Sequence, residues 1–119
     1  METSEVVAAL GALAQDSRLA VFRLLVKQGR GGLPAGEIGD RIGIPATTLS
    51  FHLSQMGQAG LVVSRREGRS IFYAADYDQM QELLGFLMAN CCEASGGCGP
   101  WTTPVRPQRR PAGATRKKG

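Results

Sequence analysis

Residues 46–73 read ATTLSFHLSQMGQAGLVVSRREGRSIFY, and this stretch decides the fold. Its first half repeats apolar residues at Leu49, Leu53 and Met56, the i, i+4, i+7 spacing of one helix face. Thr47, Thr48, Ser50, Phe51, His52 and Gln55 are left largely on the other faces. After Gly60 the period drops to two: Leu61 and Val63, then Ile71 and Tyr73, alternate with Ser64, Arg66, Ser70 and Phe72 about a turn at Glu67-Gly68. A helix is therefore followed at once by a hairpin whose tip carries Arg65, Arg66 and Arg69.

Just upstream, PAGEIGDRIG begins at Pro34, a residue tolerated in a first helical turn, and runs through Glu37, Ile38 and Ile42 to a break at Gly43. The connection Gly43-Ile44-Pro45 has the length found inside a helix-turn-helix. Further out, Val6, Ala9, Leu10 and Leu13 mark a first helix that Ser4 is placed to cap. Asp16 is placed to cap a second helix through about Gln28, with an apolar stripe of Leu19, Phe22, Leu25 and Val26. A last helix from about Tyr77 to Asn90 carries Met80, Leu83, Leu84, Leu87 and Met88, an apolar face wide enough to need a partner. The expected fold class is mainly α with a small β-hairpin, a winged helix-turn-helix.

The chain has 119 residues, enough for one modest core. Residues 1–92 are expected to form the winged helix-turn-helix and dimerisation domain. Residues 93–119 are expected to form a cysteine-containing loop and a basic, Pro-rich disordered tail. Net charge is weak evidence about partners here. Of the 14 basic residues six lie in the last 14 positions, and residues 1–105 carry 8 basic against 10 acidic groups. No apolar run is long enough to span a membrane, and METSEVVAAL is acidic where a secretory signal would be basic, so a cytoplasmic location is expected.

In such a fold the second helix of the pair enters the major groove. Thr47, Thr48, Ser50, His52 and Gln55 supply the short hydroxyl and amide groups that reach base edges and phosphates, and Arg65, Arg66 and Arg69 neutralise backbone charge. Taken singly, each has a plainer reading. Arginines around a hairpin turn also discourage strand pairing at a solvated edge, and a lone histidine is as often a packed or capping residue. The arrangement as a whole favours double-stranded DNA as partner.

The run from Ala46 to Tyr73 resembles the ArsR/SmtB repressors through Ser50, His52 and Leu53, then Ala59-Gly60-Leu61-Val62, then Arg65-Arg66-x-Gly68-Arg69 and Tyr73. Arg18 and Leu19 resemble the family's second helix, and the likeness spans roughly residues 6–90. It implies a homodimer formed through the first and last helices and bound to an inverted-repeat operator. The family's founding arsenic sensors carry cysteines in the third helix, where this chain has none. Its zinc and cobalt sensors use histidine and carboxylate ligands on the last helix, where this chain has Asp76 but no histidine.

All three cysteines, Cys91, Cys92 and Cys98, sit within eight residues directly after the last helix. In a reducing compartment such clusters point to metal binding or redox chemistry. On a continuing helix Cys91 and Cys92 would diverge by about 100 degrees, so the helix is expected to fray there, with Ser95-Gly96-Gly97 returning Cys98 to the pair. Three thiolates suit a soft centre of trigonal sulfur ligation, trivalent arsenic or antimony, better than zinc, which takes four ligands. The Cys-Cys-x5-Cys pattern also resembles the site of a distinct arsenic-responsive branch of the family. Thiol oxidation or reactive sulfur, and other soft metals, remain open as alternative signals. No glycine-rich loop opens a helix around any cysteine, so an enzyme is not expected, nor a resident cofactor. A metalloid scavenger is the remaining alternative, although it would have no use for a winged helix.

Overall fold

A computed structural model describes residues 1–95. Cys98 and the basic, Pro-rich segment lie outside the described residues. The elements in order are α1 (Thr3–Leu13), α2 (Asp16–Gln28), β1 (Leu33–Pro34), α3 (Ala35–Ile42), α4 (Ala46–Gln58), β2 (Val62–Glu67), β3 (Ser70–Ala75) and α5 (Tyr77–Met88), followed by a 3₁₀ turn over Glu93–Ser95. Met1–Leu87 form one compact unit. Among the described residues no helix is long and apolar enough to cross a membrane.

The helix-turn-helix is α3 and α4. Gly43, with φ +82, closes α3 in the left-handed conformation that an L side chain resists, and Pro45 sits at the N-cap of α4. Leu49, Leu53 and Met56 of α4 are buried as the spacing requires, against Val21, Phe22 and Leu25 of α2, Ile38 of α3 and Val6 and Ala9 of α1. Leu61 and Val62 extend the core to the wing, and Leu83 extends it to α5. The buried stripe of α2 is thus Val21, Phe22 and Leu25, while Leu19, expected within it, is 44% exposed.

Several local expectations are corrected. Glu2, not Ser4, stands at the start of α1 and forms a capping box, its backbone N–H donating to Glu5 Oε1 at 2.7 Å. Gln15, not Asp16, caps α2 by accepting from the Arg18 backbone N–H at 2.9 Å. The wing turn is Gly68-Arg69, not Glu67-Gly68, because Glu67 pairs with Ser70. Gly68 has φ +62 and Arg69 is not among the residues of positive φ, as a type II′ turn demands. The strand phase also differs. Val62, not Val63, turns inward, and Val63 and Ile71 are 50% and 37% exposed.

The hairpin is one part of a three-stranded antiparallel sheet of order β1-β3-β2. The two-residue β1 pairs Leu33 with Tyr73 and Pro34 with Phe72. It can approach β3 this closely only because Gly32 has no side chain: a Cβ there would collide with the Tyr73 carbonyl, and the φ of +74 is itself glycine territory. The strand thus ties the start of α3 to the wing. Asp76 accepts from the Gln79 backbone N–H at 3.0 Å, opening α5, so the one carboxylate expected near a zinc-type site serves as a helix cap. Tyr77 donates its hydroxyl to the carbonyls of Val26 and Leu25 at 2.8 and 3.2 Å, satisfying the exposed end of α2.

Candidate nucleic-acid interface and thiol pair

Helix α4 buries Leu49, Leu53 and Met56, which fixes its rotation and turns Thr47, Thr48, Ser50 and Phe51 to solvent. Gln55 is half-buried at the margin of this face. Phe51, 58% exposed, is an apolar group on the same outer face, outside the polar set expected from the sequence. An aromatic at such exposure is costly in water and suits contact with a thymine methyl in the major groove.

His52 does not belong to that face. It is only 7% exposed, the one buried polar side chain among the described residues. Its Nδ1 lies 3.4 Å from a guanidinium nitrogen of Arg18, whose Nε donates to the Ala12 carbonyl at 2.6 Å. Arginine has no acceptor, so Nδ1 must be the unprotonated acceptor of a neutral ring. Arg18 thereby links the end of α1, the start of α2 and the middle of α4, and His52 packs on the inner side of α4. Position 52 falls three residues after Leu49 and four before Met56, so helical spacing places it on the core stripe despite its polarity.

Burial, and secondarily the Arg18 charge, hold the His52 pKa below its ordinary 6.5. A histidine whose folded pKa is depressed resists protonation only in the folded state, so stability is intact above about pH 6.5 and declines as pH falls toward the lowered folded value. Urea unfolding at about pH 7.5 and 5.5 should show that decline, in a window above the titration of most carboxylates. His52→Gln, which keeps an acceptor for Arg18 and cannot titrate, should flatten it; an unchanged decline would place its origin elsewhere.

The three wing arginines are not equivalent. Arg65 donates from Nε to Glu67 at 2.7 Å and from a terminal nitrogen to the Gly31 carbonyl at 2.8 Å, and stacks its guanidinium 5.0 Å from the Phe72 ring centre. It pins the wing to the loop before β1. Arg66 and Arg69 are exposed, and among the described residues neither has a hydrogen-bond or ion-pair partner. Alternation along β2 puts Arg66, with Val62 and Ser64, on the opposite face from Arg65.

The thiol region, residues 89–95, leaves the α-helical path at once. Asn90 and Cys92 have φ +58 and +60, so the expected fraying after α5 is what the chain does. The Sγ atoms of Cys91 and Cys92 are 3.5 Å apart, both half-buried.

Several comparisons with known proteins bear on this arrangement. Residues 13–65 match the model of a helix-turn-helix domain. YceK, an uncharacterised HTH-type transcriptional regulator of Bacillus subtilis, is 38% identical over 77 residues, 64% of this chain and 76% of its own. HlyU from Vibrio cholerae superposes with a TM-score of 0.58 at 32% identity, over 73% of this chain and 97% of that one. The homodimeric winged helix-turn-helix DNA-binding domain of Mb0332 from Mycobacterium bovis, known from a solution structure, gives a TM-score of 0.58 at 27% identity, over 79% of this chain and 87% of that one. Sequence and architecture agree: the chain belongs to the ArsR/SmtB family of winged helix-turn-helix transcriptional regulators.

Proposed function

We propose that the protein is a dimeric repressor that binds an inverted-repeat operator and leaves it when trivalent arsenic or antimony binds the thiolates of Cys91, Cys92 and Cys98. The observation that carries the DNA half is the division of α4: three apolar residues and His52 anchor it, while Thr47, Thr48, Ser50 and Phe51 face out beside a wing with two unpartnered arginines. His52 is withdrawn from the proposed base-reading set and kept as the residue that positions α4. Arg65 is withdrawn from the phosphate contacts for the same kind of reason, since its donors are engaged within the chain.

Dimerisation is supported by apolar surface with nothing to cover it in one copy. Leu83 turns into the core, but Leu84 and Leu87 of α5 are each 53% exposed, and Val7 and Leu10 of α1 are 62% and 42% exposed. A largely apolar groove of about 390 Å³ runs between α2 and α5, lined by Leu19, Phe22, Val26, Met80 and Leu84 and bordered by Arg23 and Lys27, which gives the unexpectedly exposed Leu19 a use. Two copies would set two reading helices about 34 Å apart, one turn of duplex between half-sites.

The inducer is supported by the thiol geometry. Two sulfurs held by one soft centre at bonds of about 2.3 Å lie roughly 3.5 to 3.8 Å apart, and Cys91 and Cys92 already stand at 3.5 Å. A third thiolate from Cys98 would complete the pyramidal set that trivalent arsenic accepts without a fourth ligand. The same closeness favours one second reading, oxidation of the vicinal pair as a redox signal.

The test of the DNA half is selection of bound duplexes from a random pool by the purified protein. The expected product is an inverted repeat whose preferred bases change in Gln55→Ala or Phe51→Ala, at about 1 to 3 kcal/mol per contacted pair. Enrichment of no repeat, or an unaltered preference in both variants, would put the wrong helix in the groove. Salt titration adds a second check. Arg66→Ala and Arg69→Ala should each reduce the salt slope by about 1 for all sequences alike, while Arg65→Ala leaves it unchanged. A reduced slope in Arg65→Ala would show its internal contacts giving way to phosphate.

A further inference from the structure

A cleft of about 260 Å³ separates α4 from the wing, lined by Ser50, Leu53, Ser54 and Gly57 from the helix and by Val62, Val63, Ser64 and Tyr73 from the sheet. Four of those eight residues carry a hydroxyl. Ser50, Ser54 and Gly57 succeed one another at i, i+4 and i+7, so one line along the helix carries only small groups and leaves room for a bulky ligand. Opposite it, Ser64 pairs with Tyr73 across the ladder, which puts their side chains side by side on one face of the sheet. Two positions toward the tip on that same face stands Arg66.

Among the described residues none of these four hydroxyls makes a hydrogen bond within the chain. The contrast with Tyr77 is instructive, because that phenol is engaged by two backbone carbonyls whereas the half-buried Tyr73 phenol has neither. A half-buried donor without a partner is expensive unless something outside the chain accepts from it. No carboxylate lines the cleft, so nothing there repels an anion.

Resting on the DNA-binding reading above, we propose that this cleft seats one backbone phosphate of the operator, with Ser54, Ser64 and Tyr73 donating to its oxygens and Arg66 supplying the charge. The site positions the protein on the duplex and reads no base, since a phosphate carries no sequence information. It also assigns work to three residues outside the reading face of α4 and the arginines of the wing. The phosphate lies between helix and wing, so both elements register against the same point on the strand.

The test measures the affinity of the full-length protein for mixed-sequence duplex DNA and for its selected operator, with Tyr73→Phe, Ser64→Ala and Ser54→Ala compared with wild type. Tyr73→Phe is expected to weaken both by a similar factor, about 10-fold, as for a hydrogen bond to a charged group. The salt slope should stay at the wild-type value, because no cation is removed. Thermal stability should not change, since the phenol has no partner in the protein. Substituting single operator phosphates by neutral methylphosphonate should reveal one position per half-site at which wild type falls below Tyr73→Phe on the unmodified operator, because the Arg66 contact is lost as well, and at which the variant loses less than wild type; equal losses in both at every position would overturn the seat. Full affinity in Tyr73→Phe and Ser64→Ala, with Gln55→Ala and Arg66→Ala still weakened, would overturn the phosphate seat and leave the DNA reading standing. A change of base preference in the hydroxyl variants would overturn it too. Indifference of every variant on α4 and the wing alike would remove both.

Discussion

Leu84→Glu or Leu87→Glu is expected to yield a folded monomer whose affinity for the full operator is about 100-fold or more below wild type. Both side chains are 53% exposed on α5, so a carboxylate at either position meets water in the single copy and costs the fold little. In a dimer the same carboxylate would be buried in a largely apolar contact, which opposes association; Arg23 and Lys27 border the groove that Leu84 lines, so Leu87→Glu is the stricter of the two variants. Losing the dimer removes the second half-site contact, and with it the effective concentration that multiplies one modest affinity by about 100 to 10,000. Sedimentation of the variant, with circular dichroism to establish that it is folded, checks the first step, and operator titration checks the second. A charged variant that sediments as a dimer and binds normally would mean that α5 is not the interface.

The helix-turn-helix was legible because its signals are local and redundant. Leu49, Leu53 and Met56 give the phase of α4, Gly43 and Pro45 bound its entry, and Gly60 announces the change of period. What escaped was decided by tertiary contact or by chain too short to have a period. The strand β1 is two residues long and exists because Gly32 lets it approach Tyr73. The wing alternation slipped by one because Leu61 belongs to the turn out of α4, so that Leu61 and Val62 are buried in succession. At the helix starts, Ser4 and Asp16 have the preferred cap chemistry, but Glu2 and Gln15 are the residues at which the chain leaves helical geometry.

At the candidate interface the differences from the sequence reading concern placement. His52 was grouped with the outward polar residues by its chemistry, although its spacing from Leu49 and Met56 puts it on the buried stripe, where Arg18 supplies the partner that makes burial tolerable. Arg65 and Arg66 look interchangeable as neighbours in a basic turn. Period two places them on opposite faces, one against Gly31, Glu67 and Phe72 and the other beside the hydroxyl cleft. That difference is readable in principle from the alternation, whereas the identity of what lies on each side is not.

The second large effect concerns the switch. Cys91 follows the last residue of α5 by three positions, so drawing three thiolates around one atom reshapes the chain at the end of the helix proposed to carry the dimer contact. A change in that packing alters the separation of the two reading helices, for which half-site spacing leaves little tolerance. A coupling of about 1 to 3 kcal/mol is enough for a 5- to 150-fold loss of operator affinity. Each single Cys→Ser variant should keep wild-type affinity for the operator and resist release, because serine neither forms the soft-centre bond nor disturbs the reading face.

The most direct measurement is a titration of labelled operator, held by the reduced protein, with arsenite, run in parallel with antimonite, zinc, cadmium and peroxide. Wild type should let go of the DNA in response to arsenite and antimonite, at concentrations where zinc and peroxide have no effect, and the variant with Cys91, Cys92 and Cys98 all replaced by serine should stay bound throughout. Release by peroxide alone would transfer the switch to thiol oxidation, and release of the triple-serine variant by arsenite would contradict the cysteine mechanism outright.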